Sequence, residues 1–167
     1  GHQGTLGIVT EIMVKLLPRP RHVSTALLPF GSMDAAARAV THILTSGALP
    51  RCLELMDDVC LAAAAKAAPF PIPAGSGAAI IVETDGNDAD QVFAELVRVA
   101  ELARDHASGD AVVAQSEAQR REIWETRRYL SVALKALHPR KLSEDIAVPR
   151  SRIPEMVRIA REIGARH

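Results

Sequence analysis

Short apolar runs alternate with longer amphipathic stretches along the chain, which predicts strands and helices in turn. The runs that predict strands, rich in β-branched residues or bounded by turn residues, cover 8–17, 24–30, 52–56, 78–84, 111–114 and 143–148. The stretches that predict helices cover 33–46, 57–68, 89–107, 116–137 and 151–163. After the entry strand, the predicted order is therefore a regular alternation of strand and helix.

Side chains that cap helices mark several of these boundaries. Ser32 and Asp88 directly precede predicted helices, where a hydroxyl or carboxylate oxygen can accept from the first free backbone amides. Ser151 opens the last helix, which has Pro154 in its first turn. Gly47 follows the first helix, as is typical of a helix end.

The polarity of the predicted strands decides between two fold classes. Strand–helix alternation alone favours a doubly wound parallel sheet. Charges lie inside or beside several strands, however, as at Glu54, Asp57 and Glu144. A parallel sheet covered on both faces prefers unbroken apolar runs, whereas an antiparallel sheet tolerates polar positions. We therefore expect an α+β fold with helices packed on one side of an antiparallel sheet.

The composition excludes several classes of function. The 167 residues are 48% hydrophobic, which fits one globular domain, and 20 basic residues balance 20 acidic ones. The chain has no basic field to bind nucleic acid, and its apolar runs are too short to span a bilayer. Cys52 and Cys60 lie in a sequence without a signal-like start, so we expect a cytoplasmic protein without disulfides.

The first candidate for chemistry is the turn Gly4-Thr5-Leu6-Gly7-Ile8. Its glycines allow the backbone to approach a ligand closely, and the adjacent amides can bind an anionic or carbonyl-rich cofactor. The alternative is a plain glycine turn that leads into a strand. The segment has neither the third glycine of a dinucleotide fingerprint nor the lysine of a P-loop.

The second candidate lies on the predicted helix 116–137. Trp124, Arg127, Arg128 and Ser131 are three or four positions apart, so they share one face or its border. Beside a tryptophan, an arginine can hold a carboxylate through two parallel hydrogen bonds. The alternative is a packed tryptophan next to solvated arginines.

The third candidate is the segment 139–154, which contains Lys141, Arg150 and Arg152. Its simpler interpretation is a strand that leads into a capped helix, with the two arginines as surface charges. No metal is expected, because the six histidines are scattered, and Asp85, Asp88 and Asp90 fit a turn and a helix cap.

The stretch from Gly4 to Thr10, with its continuation to Pro18, resembles the end of the FAD-binding domain in one enzyme family. This family includes glycolate oxidase subunits, D-lactate dehydrogenases and D-2-hydroxyglutarate dehydrogenases. Relatives usually have serine and glutamate where this chain has His2 and Gln3. The resemblance implies that four residues contact FAD: Gly4, Thr5, Gly7 and Ile8.

The same resemblance extends to the other two candidates. Relatives have a tryptophan, two variable residues and an arginine that binds the substrate carboxylate, which corresponds to Arg127. Ser131 corresponds to a small hydroxyl residue one turn later, and Lys141 to a lysine that binds substrate in some relatives. By this resemblance, residues 1–20 end the FAD-binding domain, and 21–167 form a truncated, ferredoxin-like C-terminal substrate domain.

In the family, a small 2-hydroxy acid loses its hydroxyl proton and transfers a hydride from its α-carbon to the flavin. This chain offers no convincing base for the proton. Relatives carry a segment Gly-His-x-Gly-Asp-Gly-Asn-x-His, which binds a divalent metal in several of them and is expected beyond residue 167. We therefore expect the isolated chain to be inactive, with a homo-oligomer or partner subunits as open possibilities. The alternative is a non-catalytic α+β module that binds a small ligand or pairs subunits.

Overall fold

The computed structural model describes residues 4–65, 72–137 and 145–166. Four strands and five α-helices follow one another along these ranges, and a short 3-10 helix, Arg150–Arg152, precedes the last of them. The strands are β1 His22–Phe30, β2 Cys52–Asp57, β3 Ala78–Gly86 and β4 Val112–Val113. The helices are α1 Met33–Thr45, α2 Asp58–Ala65, α3 Ala89–Ala103, α4 Glu117–Leu137 and α5 Ile153–Gly164.

All four strands form one antiparallel sheet in the order β2-β3-β1-β4. The longest pairing joins β1 to β3, from His22 opposite Gly86 to Phe30 opposite Ala78. On the other side of β3, Cys52 of β2 lies opposite Glu83. The prediction of an α+β fold with an antiparallel sheet is confirmed.

Helices cover both faces of this sheet. Because side chains alternate along a strand, Leu28 and Ile80 point to one face and pack with α1 and α3. Leu27 and Ile81 point to the other face and pack with residues of α2 and α4. The expected single helical layer thus describes only α1 and α3, and α5 packs against α1 outside it.

The buried strands explain why a second layer forms. Six consecutive residues at the end of β1 are buried, and so are seven at the start of β3. Strands that are apolar on both faces need cover on both faces. The long helix α4 supplies part of this cover through Ile123 and Leu130, which are 0% and 7% exposed.

The predicted strand 8–17 is wrong, because this segment forms neither strand nor helix. Its apolar side chains lie in solvent, with Ile8 90% exposed and Met13 fully exposed. A strand exists only where a neighbouring strand completes its hydrogen bonds, and none of the four strands described pairs with this segment. Alternation of apolar side chains alone therefore does not make this segment a strand.

The helix caps agree with prediction at two of the three marked positions. Ser32 Oγ accepts from the amide of Ala35 at 3.2 Å, and Asp88 Oδ1 accepts from the amide of Gln91 at 3.0 Å. Ser151 instead lies in the 3-10 helix, so α5 begins two residues later than predicted.

Two further boundaries differ from prediction. Helix α3 ends at Ala103, four residues early, in a series of turns that return the chain to β4. Residues 143 and 144 of the predicted strand 143–148 lie outside the described residues, and 145–148 form no strand.

Candidate functional site

The candidate site lies where α4 crosses the second face of the sheet. Residues at positions 120, 124, 127 and 131 are three or four apart and therefore line one side of the helix. We call Arg120, Trp124, Arg127 and Ser131 the α4 stripe. The stripe flanks the buried positions of α4, and two carboxylates of the sheet, those of Glu83 and Glu54, face it.

Glu83 is the buried centre of this arrangement. Only 4% of its surface is exposed, although it is charged. Its Oε1 accepts from Thr25 Oγ1 at 2.7 Å, from Trp124 Nε1 at 2.6 Å and from Arg120 Nη1 at 3.2 Å. Thr25 lies directly opposite Glu83 on β1. Three donors, one of which is the cationic Arg120, satisfy the requirement that a buried carboxylate be paired and hydrogen-bonded.

Arg120 connects Glu83 to the start of α4. Its Nε and Nη2 donate to the two carboxylate oxygens of Glu117, at 2.8 and 2.6 Å. These bonds, followed by the bond to Glu83, raise the pKa of the Arg120 guanidinium above its ordinary value, although burial opposes the shift. Arg120 is therefore a fixed positive charge held between two carboxylates.

Arg127 lies one turn beyond Trp124, at the more open end of the stripe. Its Nε donates to Glu54 Oε2 at 3.1 Å, and the two side chains are 47% and 36% exposed. Among the described residues, no hydrogen bond to the terminal nitrogens Nη1 and Nη2 of Arg127 is found. Within the described part of the chain, the edge of the guanidinium that suits a planar carboxylate therefore donates to no acceptor.

The other predicted substrate contacts are placed only in part. Ser131 follows Arg127 by one turn of α4 and is exposed. Helical spacing puts these two side chains on the same side of the helix, as the sequence predicts. Lys141 lies outside the described residues.

The predicted FAD contacts lie on the exposed N-terminal segment. Gly4, Thr5, Gly7 and Ile8 are all exposed and belong to neither core cluster. Gly4 has a φ of +77°, and an added Cβ at Gly4 or Gly7 would meet nothing within 4 Å. Such a backbone can lie against one edge of a flavin, but these four residues do not form a complete site for it.

A polar cavity of about 680 Å³ adjoins the buried end of the stripe. Arg51 and Arg120 line it, but both are already paired with carboxylates: Arg51 with Asp85 at 3.5 Å, and Arg120 with Glu117. The described residues contain no group of three or more potential metal ligands. Arg19, Arg21 and His22 also line this cavity, so Arg127 is not the only basic side chain of the described residues that could meet a small anion.

Glu83 was missed in the sequence, although a signal was present. It follows five apolar residues on the most regular strand, and it shares a face with Ala79 and Ile81. Alternation along the strand therefore places a carboxylate in the core. Glu54 was noted only as a polar strand position, and its pairing with Arg127 could not be seen locally.

Residues 19–167 match the family model described as FAD linked oxidases, C-terminal domain. The chain belongs to this family. It is 35% identical to a glycolate oxidase subunit GlcD of Bacillus subtilis over 100% of this chain, and 33% identical to that of Escherichia coli K12 over 92%. It is 25% identical to a D-lactate dehydrogenase of Anaerostipes hadrus over 99% of this chain.

Among solved structures, an alkyldihydroxyacetonephosphate synthase shares the fold, with a TM-score of 0.57 and 15% identity. The match covers 89% of this chain and 32% of that protein. The chain spans about a third of the length of its curated relatives, namely 35% for the B. subtilis subunit, 31% for the E. coli subunit and 36% for the D-lactate dehydrogenase. Among the described residues, no helix is long and apolar enough to cross a membrane.

Proposed function

We propose that this chain is the substrate-binding part of an FAD-dependent oxidoreductase that oxidises small 2-hydroxy acids such as glycolate or D-lactate. The observation that carries the proposal is the hydrogen bonding of Arg127: its Nε donates to Glu54, while its terminal nitrogens donate to none of the described residues. The names of relatives, glycolate oxidase and D-lactate dehydrogenase, support this substrate class.

Arg127 would hold the substrate carboxylate. A 2-hydroxy acid offers a planar carboxylate next to the carbon that is oxidised, so a clamp on the carboxylate orients that carbon. Glu54 fixes one edge of the guanidinium and leaves the other for the substrate. In the proposal, Ser131 adds a hydroxyl one turn away, and Lys141 adds a second positive charge.

The cofactor in this proposal is FAD, which accepts the hydride when it is bound. Gly4, Thr5, Gly7 and Ile8 would contribute one exposed edge of its site. The chain spans about a third of the length of its relatives, and these four exposed residues are the FAD contacts proposed for it. We therefore propose that residues 1–20 belong to the FAD-binding domain and 21–167 to the substrate domain, and that this chain alone is inactive.

Two further parts of the proposal concern partner subunits and the location of the protein in the cell. The B. subtilis and E. coli relatives are named as subunits, which supports partner subunits for this protein. Both described cysteines are free, which fits a cytoplasmic location.

We call the proposed binding of the substrate carboxylate by Arg127 the clamp. It is tested in the full-length enzyme that contains this segment. Arg127→Ala is expected to raise KM for glycolate or D-lactate by at least about tenfold, because a charge-assisted hydrogen bond contributes roughly 1.5–3 kcal/mol. Arg128→Ala is the matched control, since it removes the adjacent exposed arginine of the same helix. An unchanged KM in Arg127→Ala, or an equal rise in both variants, contradicts the clamp.

The claim of inactivity needs a separate measurement on residues 1–167. Flavin absorbance after reconstitution with FAD, and oxidation of glycolate and D-lactate with an artificial electron acceptor, are expected to show neither tight binding nor turnover. Tight FAD binding or turnover by this chain would overturn that part of the proposal.

A further inference from the structure

Glu83 is a buried carboxylate, only 4% exposed, and two of its three hydrogen-bond donors belong to α4. We propose that Glu83 is a positioning residue for the clamp: through Trp124 and Arg120 it fixes α4 on the sheet and thereby the place of Arg127. This inference rests on the proposed role of Arg127.

The geometry connects Glu83 to Arg127 through Trp124. Arg127 lies three positions after Trp124, a rise of about 4.5 Å along the helix. Trp124 Nε1 donates to Glu83 Oε1 at 2.6 Å, so the indole lies at a fixed place over β3. A displacement of Trp124 along or around the helix axis therefore moves Arg127 by a similar amount.

The other contacts of α4 cannot fix its register as closely. Ile123 and Leu130 pack against apolar neighbours, and such contacts have no preferred direction. The pair of Arg127 with Glu54 orients the guanidinium, but its side chains are 47% and 36% exposed, so water screens it and it holds the helix as a whole only weakly. A hydrogen bond to a buried carboxylate is short and directional, and it has no competitor in solvent.

The choice of residue type at position 83 supports the same role. Replacing buried ion pairs with apolar residues of similar volume is often neutral or stabilising in proteins. A purely structural position on β3 is therefore well served by an apolar residue, as at Ile81 on the same face. A carboxylate here selects one placement of Trp124 and Arg120.

The contact itself is tested in the 167-residue chain by NMR, because Trp124 is its only tryptophan. The single indole N–H resonance is expected downfield, as for a strong hydrogen bond, and it should shift upfield in Glu83→Gln. Glu101→Gln is the matched control, since Glu101 lies exposed on α3 at the opposite face of the sheet. An indole resonance that is unchanged in Glu83→Gln overturns the proposal.

The consequence for the clamp is tested in the full-length enzyme with a double-mutant cycle. Glu83→Gln is expected to raise KM for glycolate or D-lactate by about tenfold, with a smaller change in kcat, because substrate positioning is lost. In the Arg127→Ala background the same substitution should add less than about twofold, since its effect passes through Arg127.

The pattern of KM changes distinguishes failure of the positioning role from failure of the clamp. If Arg127→Ala raises KM but Glu83→Gln does not, the positioning role is wrong and the clamp stands. If Glu83→Gln raises KM equally in both backgrounds, its effect bypasses Arg127 and the proposal is overturned. If neither variant changes KM, the proposed function and the positioning role are both wrong.

Trp124→Phe tests the positioning role of Glu83 if the Glu83→Gln variant does not fold. It keeps an aromatic ring in the α4 stripe and removes only the Nε1 donor to Glu83. The expected rise in KM is again about tenfold, with no additional effect in the Arg127→Ala background. Wild-type KM in a folded Trp124→Phe enzyme, with circular dichroism as the check of folding, overturns the proposal.

Discussion

At Gly77, just before β3, the absence of a side chain allows the backbone to lie close to the end of β1. An added Cβ at this residue would lie 2.4 Å from the carbonyl oxygen of Gly31, and the Gly77 amide donates to Phe30 O at 2.8 Å. Both neighbours are backbone, so no side chain can move aside. The hydrogen bond and the missing Cβ together hold the start of β3 against the end of β1.

Gly77→Ala is therefore expected to lower the free energy of unfolding by about 1–3 kcal/mol, as overpacking does in a close-packed interior. Gly164→Ala is the control, because nothing lies within 4 Å of its added Cβ and it ends α5. That control should be neutral or stabilising by up to about 1 kcal/mol. Urea unfolding measures both, and equal midpoints would contradict the steric explanation.

Cys60 is a residue whose surroundings control its chemistry. Burial raises the pKa of its thiol to about 11 from an ordinary value of 9.0, and the Asp57 carboxylate adds to the shift. Arg127 opposes the shift only weakly. Since the protonated thiol is favoured in the fold, the stability that it contributes is lost as pH rises from about 9 towards 11.

The measurable consequence is slow alkylation of Cys60. At pH 8 the thiolate fraction is about one in a thousand, so iodoacetamide should react roughly 100-fold more slowly than with an ordinary thiol. The rate in a Cys52→Ser variant, which isolates Cys60, should rise about tenfold per pH unit up to near pH 11. A plateau near pH 9 would show that burial does not control this thiol.

At the scale of elements, the connection from β3 to α3 is fixed at its two ends. The hydroxyl of Thr84, buried near the end of β3, donates to the carbonyl of Val92 in α3 at 2.8 Å. Asp88 caps α3 by accepting from the amide of Gln91. The cap satisfies one of the amides that a helix start leaves without a partner.

Asp88→Ala is expected to lower the free energy of unfolding by about 1 kcal/mol, because this amide loses its acceptor. Asp88→Asn should keep most of the stability, since an amide oxygen caps a helix about as well as a carboxylate. Thermal unfolding of both variants separates the cap from the effect of charge. Equal losses in the two variants would mean that charge, not the cap, stabilises this helix start.

At the scale of the whole molecule, the N-terminal segment and the rest of the chain differ in packing. Residues 6–17 expose most of their large apolar side chains, with Leu6 at 82% and Leu16 at 84%. Next to the start of β1, the Arg21 amide joins the chain to the sheet by donating to Gly86 O at 3.0 Å. Residues 4–18 are thus all exposed and add little buried surface to the packed unit.

Deletion of residues 1–18 is expected to change the free energy of unfolding by less than about 1 kcal/mol, because residues 4–18 are all exposed. A deletion through residue 25 is the contrasting case, since it removes the Arg21 bond and part of β1. That shorter chain should unfold at a clearly lower temperature. A large loss of stability on deletion of residues 1–18 would contradict the separation.

The sequence predicted most of the elements and named three of the four residues of the α4 stripe, namely Trp124, Arg127 and Ser131. Periodicity located α1, α3 and α4 to within a few residues, and the caps at Ser32 and Asp88 were local enough to recognise. Arg127 and Ser131 lie one turn apart because helical spacing alone puts them there. The strand predicted at 8–17 does not form, because a strand depends on a pairing partner elsewhere in the chain.

Long-range pairings were decided only by the tertiary structure. Trp124 is 41 residues from Glu83, and Arg127 is 73 residues from Glu54. The order β2-β3-β1-β4 brings both carboxylates beneath α4. Periodicity and capping are properties of neighbouring residues, so the sequence alone determines them. A buried carboxylate is stable only when distant donors meet it, so the packing of the sheet against both helical layers determines the site.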